Sequence, residues 1–113
     1  MLDLPQFPAR SIFAARLKEA RTAAGLTQKE LGRLAGIAED VASTRINRYE
    51  RGVHDCDSQT AQRLASALGI PLASLYAEDE SVADAIHSFS RLSLVDRLDV
   101  LAHMRQRLAV RDE

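Results

Sequence analysis

A single cysteine, Cys56, stands in the 113-residue chain. That excludes an internal disulfide framework and any multi-cysteine zinc site, and it fits a reducing compartment. Long apolar runs are missing too. The longest early one, Ile12 to Ala15, falls far short of the roughly 20 residues that span a bilayer. The N-terminus carries Asp3, Pro5 and Pro8 where a secretory leader would need an apolar stretch. The expectation is a soluble, cytoplasmic protein with no membrane partner. Neither sign of charge dominates: 15 basic residues face 16 acidic ones, for a formal charge of −1. This argues against a polybasic, histone-like binder. The charge is nevertheless unevenly placed. Residues 10–63 hold ten Lys/Arg against seven Asp/Glu, while residues 64–113 hold five against eight. A mildly basic front half is joined to an acidic back half.

Catalytic and metal motifs are also lacking. There is no glycine-rich phosphate loop, HExxH or GxSxG. His54, His87 and His103 lie far apart, none with a carboxylate or second histidine at metal spacing. Cys56 has only His54 nearby, two residues away in a loop, which is poor geometry for a nucleophile and its base. The expectation is a non-enzyme with no metal and no cofactor.

What is present reads as helix throughout. No period-2 alternation is bounded by hairpin turns, and there is no internal repeat or low-complexity tract. At 46% hydrophobic residues the chain can form one core and an appendage. A first helix is expected over about 11–24, with Ser11 as N-cap, Phe13, Leu17 and Ala20 on one face, and Gly25 ending it. The second has the strongest start signal. Thr27 and Glu30 form a capping box, and Leu26 with Leu31 forms the hydrophobic staple. It runs to Gly36, with Leu31, Leu34 and Ala35 inward. A third helix includes 44–51 and starts anywhere from Glu39 to Ser43. Asp57 caps a fourth over about 58–68, with Leu64, Ala65 and Leu68 inward. Pro71 opens a short fifth element, PLASLY. Past the acidic cluster Glu78, Asp79, Glu80, two amphipathic stretches follow, the last capped by Ser93 with Asp96. Residues 81–113 are too few to hold a core alone.

Two short helices joined at a glycine turn form a helix-turn-helix arrangement. The second helix must be apolar on one side, to sit on its scaffold, and polar on the other, to enter a DNA major groove. At about 100° per residue, Ala42, Ile46, Tyr49 and Glu50 cluster on one side. Thr44, Arg48 and Arg51 lie opposite, flanked by Arg45.

At these residues the chain resembles the lambda-repressor-like (Cro/repressor, Xre-type) helix-turn-helix regulators. The resemblance covers roughly residues 11–77. It rests on AARLKEARTAAGLTQKELGRLAG, then RINRYERG, then DSQTAQRLASALGIPLASLY. It implies an all-α fold: a five-helix helix-turn-helix domain (11–77) with an N-terminal arm (1–10) and a two-helix C-terminal extension (78–113). One departure stands out. Thirteen residues separate Gly36 from Glu50, about four more than the family's usual spacing, so the turn is longer or the third helix starts earlier.

Residue roles follow from the resemblance. Ser43, Thr44 and Arg48 match base-reading positions, and Arg48 has the fork to take a guanine O6 and N7. Gln28 matches a position that bonds a DNA phosphate beside a helix N-terminus, and Arg45 and Arg51 are further phosphate contacts. Glu50 is paired in the family with an arginine of the first helix, here Arg21, in a salt bridge that orients the recognition helix. The implied function is a sequence-specific transcriptional regulator, a repressor that binds a near-palindromic stretch of double-stranded DNA as a homodimer. Ile86, Phe89, Leu94, Leu98, Leu101 and Leu108 are the dimerisation candidates; alternatively, they cover the back of the domain. The extra domain of self-cleaving repressors is missing, so induction by autoproteolysis is not expected. Two rival functions stay open. One is the antitoxin of a toxin–antitoxin pair, with a protein partner on the C-terminal helices. The other is a protein-interaction module that reuses the fold without DNA.

Overall fold

The computed structural model describes residues 9–112. Among them every regular element is helical: α1 (Ala9–Ala23), α2 (Gln28–Leu34), α3 (Glu39–Glu50), α4 (Ser58–Leu68), a 3-10 turn (Leu72–Tyr76), α5 (Glu80–Ser90) and α6 (Leu94–Asp112). Among the described residues no helix is long and apolar enough to cross a membrane.

α1 begins two residues before the expected cap, so Ser11 lies inside its first turn. That turn carries a surface ion pair instead. Arg10 donates through Nε and Nη2 to the two carboxylate oxygens of Asp55, at 2.7 and 3.0 Å, in the loop after α3. Ala9 and Arg10 therefore belong to the helix and not to an arm; residues 1–8 of the expected arm lie outside the described residues. On its inner face α1 buries Phe13, Ala14 and Leu17.

α2 carries the reciprocal cap. Glu30 N donates to Thr27 Oγ1 at 3.0 Å, and Thr27 N donates to Glu30 Oε1 at 2.8 Å. These bonds hold the Glu30 carboxyl below its ordinary range, since they favour the charged form. Leu34 departs from expectation and is 62% exposed. The reason is the approach of α3. Leu31, Gly32 and Ala35 form the buried side of α2, and Leu34 sits roughly 100° away from the centre of that arc.

Gly32 explains how close the two helices come. A Cβ built there would lie 2.7 Å from Ala42 Cβ and 3.1 Å from the Ala42 backbone. Gly36 then turns the chain at φ 82°, a conformation that L side chains rarely adopt. Ile37 plugs into the core directly afterwards. α3 starts at Glu39, the early end of the expected range. The four additional residues are therefore one more turn of helix and not a longer loop.

Leu17, Leu31, Ile46, Leu64 and Leu75 are fully buried, one from each of α1 to α4 and one from the 3-10 turn. Phe13 and Tyr76 rings meet at 5.4 Å, joining α1 to that turn. Asp57 caps α4, accepting from Thr60 N at 2.6 Å and from Thr60 Oγ1 at 3.0 Å, and its carboxyl is held below the usual range by those bonds.

The core stops at Ala77. From Glu78 onward no described residue is buried. α5 rests on the 3-10 turn with its apolar side only half covered. α6 is capped by Ser93 Oγ, which accepts from Asp96 N at 3.1 Å. It is tied back to α5 by Arg97. That guanidinium donates to Ser90 O at 2.7 Å and lies over the Phe89 ring at 5.5 Å. Beyond this corner α6 stands away from the bundle. The radius of gyration is 16.7 Å, against about 13 Å for a compact chain of this length.

Candidate nucleic-acid interface

α3 is anchored on one side by Ala42, Ile46 and Tyr49, all buried. Its opposite side is open: Ser43, Thr44, Arg48 and, at the C-cap, Arg51 are exposed. The side-chain chemistry there is hydroxyl and guanidinium, which can bond base edges and phosphates. This is a convex surface, as a helix entering a groove requires. An open groove of about 670 Å³ between α1, α4 and α5 is lined by no residue of α3.

A polar network fixes the angle at which α3 is presented. Arg21, in the last turn of α1, donates through Nε to Glu50 Oε2 at 2.5 Å and through Nη2 to Glu50 Oε1 at 3.0 Å. Its Nη1 donates to Leu26 O at 2.9 Å. Glu50 is only 3% exposed and Arg21 16%. The bond to Glu50 raises the Arg21 pKa, so this guanidinium stays charged at any working pH. Gln28, the first residue of α2, joins the same carboxylate, its Nε2 donating to Glu50 Oε1 at 3.1 Å. One carboxylate thus ties α1, α2 and α3 together. An amide nitrogen carries two hydrogens, so Gln28 keeps a second donor beside the α2 N-terminus.

Arg45 is placed differently from Arg48 and Arg51. It is half-buried; Nη2 donates to Tyr49 Oη at 2.6 Å, and the guanidinium stacks 5.7 Å from the Tyr49 ring centroid. It stands on the flank of α3, toward Asp57 and the start of α4. Cys56 is half-buried nearby, and burial pushes its thiol up to about 11, so it is a protonated, turn-filling side chain.

The early start of α3 adds residues that counting back from Glu50 missed. Asp40 and Val41 are exposed on the turn ahead of Ser43. A forward count from Gly36 finds them. Ile37 is buried directly after the turn, Ala42 meets Gly32, and Ile46 and Tyr49 continue at helical spacing. The acidic pair Glu39–Asp40 is itself a helix-start signal.

The helix-turn-helix family HTH_3 matches residues 17–75. Among solved structures, the crystal structure of transcriptional regulator BswR is similar at 38% sequence identity. The alignment covers 86% of this chain and 96% of that chain, with a TM-score of 0.76. That share is more than the helix-turn-helix segment alone supplies, so the likeness extends into the C-terminal helices. A comparison with curated proteins finds no match. With the capped α2, the glycine turn and the arginine-bearing open side of α3 in place, the chain belongs to the lambda-repressor-like, Xre-type helix-turn-helix family.

Proposed function

We propose that this protein is a sequence-specific DNA-binding transcriptional regulator, a repressor acting as a homodimer on a near-palindromic operator. The observation that carries the reading is the two-sidedness of α3. Ala42, Ile46 and Tyr49 bolt it to the bundle, while Thr44, Arg48 and Arg51 face solvent. The similarity to a transcriptional regulator supports the same reading.

Roles divide by placement. Ser43, Thr44 and Arg48 read base edges in the major groove, with Arg48 forked onto a guanine. Gln28 uses its second amide hydrogen on a phosphate beside the α2 N-terminus, where the helix dipole favours an anion. Arg45 and Arg51 hold phosphates at the two flanks of α3. The Arg21–Glu50 pair sets the entry angle.

One recognition helix reads too few base pairs for specificity. Two copies related by a two-fold axis read half-sites about 34 Å apart. The contact between copies is made by the C-terminal helices. Leu94, Leu98, Leu101 and Leu108 recur along one line of α6 at coiled-coil spacing, and Leu94, Leu98 and Leu108 are largely exposed. Ile86 and Phe89 of α5, both half-buried, extend that apolar surface. The acidic character of the back half keeps it off the DNA.

The test is selection of bound DNA from a random pool, for the native chain and for Arg48→Ala. The native chain is expected to enrich a palindromic motif. Arg48→Ala loses discrimination at one position per half-site, by roughly 1–3 kcal/mol for a bidentate contact. No enriched motif at low salt overturns the reading and favours a protein-interaction module.

A further inference from the structure

We infer that Asp40 reads a cytosine in each half-site, on the side of the Arg48-contacted base toward which the N-terminus of α3 points. The inference rests on the DNA-binding reading above and assigns a specificity-determining residue that the sequence did not bring into view.

Three observations lead to it. First, α3 begins at Glu39, so its leading turn reaches past Ser43 by one full turn. In a helix-turn-helix complex the N-terminal residues of the recognition helix reach deepest toward the base edges. Second, Asp40, Thr44 and Arg48 follow one another at four-residue intervals, and all three are exposed. Four residues rise about 6 Å, so the row spans about 12 Å from Asp40 to Arg48. Laid along the major groove, a row of that length spans several base steps, so Asp40 and Arg48 meet different bases. Third, the two acids of the leading turn are not equivalent. Glu39 is drawn back to α2, its Oε1 3.4 Å from Lys29 Nζ. Asp40 takes part in no ion pair among the described residues.

A free carboxylate in the major groove has a narrow choice. Ionised, it can only accept hydrogen bonds. Guanine offers N7 and O6, both acceptors, and thymine offers O4 and a methyl group. Cytosine's N4 amino group has an acceptor, guanine O6, on one side only, whereas adenine's amino group stands between its own N7 and thymine O4. The carboxylate also lies among phosphates. With cytosine opposite, a hydrogen bond offsets that repulsion; with any other base it stands uncompensated. Asp40 therefore acts largely by penalising wrong sequences.

Asparagine in the same place has both an acceptor and a donor, the pattern that pairs with adenine N7 and N6. The experiment is selection from a random pool with the full-length native chain, Asp40→Asn and Asp40→Ala, with circular dichroism and thermal melting of each. The native motif is expected to hold a cytosine within a few positions of the Arg48-dependent guanine. Asp40→Asn changes that cytosine to adenine and leaves the other positions alone. Asp40→Ala removes the preference there without creating another, lowering discrimination roughly tenfold. Both variants bind unrelated DNA more tightly than the native chain, because a negative charge has left the interface. A native motif that survives unchanged in both variants overturns the assignment to Asp40 while leaving the DNA-binding reading intact. Loss of binding to all sequences by natively melting variants also overturns it, by showing a structural role. If the native chain itself enriches nothing, the underlying reading fails first.

Discussion

The two halves of this chain use their apolar residues in opposite ways. Through Ala77, leucines and isoleucines from α1 to α4 and the 3-10 turn converge on one center, and five of the large side chains are fully buried. After Ala77 the sequence is no poorer in leucine and valine, yet no described residue there is buried. The difference is one of geometry. Helices crossing at close range, as α2 and α3 do at Gly32, enclose a volume. A hairpin of two helices with one side free cannot. The front half is complete in a single copy, and the back half is an apolar surface without an inner side.

The comparison is tested most severely in the front half. Leu64 sits at 0% exposure among residues of every neighbouring element. Leu64→Ala is expected to cost about 2–5 kcal/mol of unfolding free energy, as large-to-small changes in rigid cores do. Urea denaturation measures it through the midpoint at unchanged slope. A cost under about 1 kcal/mol means that the front half is not the close-packed unit described above.

Gly32→Ala probes the same half from the other direction, by adding a group instead of removing one. The new Cβ meets the Ala42 backbone as well as its side chain, so no rotamer change relieves the contact. The helices must separate, at about 1–3 kcal/mol for overpacking. The better helix propensity of alanine offsets up to about 1 kcal/mol of this. Because α3 is displaced, specific DNA affinity is expected to fall further than stability does, which parallel binding and melting measurements separate.

Much of the front half was legible because its signals are local and redundant. Thr27 with Glu30, and Asp57 at the start of α4, are side chains whose caps need only their own helix. The Arg21–Glu50 pairing was a matter of resemblance, and spacing alone does not reveal it. Leu34 was misjudged because helical periodicity gives a face but not its center, and the center moved toward Gly32 when α3 packed there. Ser11 lies inside α1 because the helix already includes Ala9 and Arg10, the latter paired with Asp55 45 positions along the chain. The extra turn of α3 stayed ambiguous for a similar reason. Counting back from Glu50 reaches Ser43 and Thr44 but gives no placement for the residues ahead of them. Only the contact of Ala42 with Gly32 decides between a longer loop and a longer helix. The C-terminal leucines fit two roles equally in the sequence, since an amphipathic pattern does not name its partner.

The smallest effect on the folded monomer, and the sharpest use of the contrast, belongs to α6. Leu98 is 60% exposed and lies between Leu94 and Leu101 on the line that continues to Leu108. Leu98→Gln retains a good helix former and opens no cavity. At concentrations where the native chain is monomeric, its unfolding free energy is expected to stay within about 0.5 kcal/mol of native, as for ordinary surface positions. Association is where the change should appear. Sedimentation equilibrium is expected to show the native chain shifting from monomer to dimer as concentration rises, and Leu98→Gln shifting only at markedly higher concentration. Operator binding should lose its cooperative step in parallel, while a single half-site is bound as before. If instead the variant dimerises normally, the copies meet elsewhere and the exposed leucines serve another partner. If it unfolds several kcal/mol too easily, Leu98 belongs to the core of the monomer, and the contrast between the two halves fails.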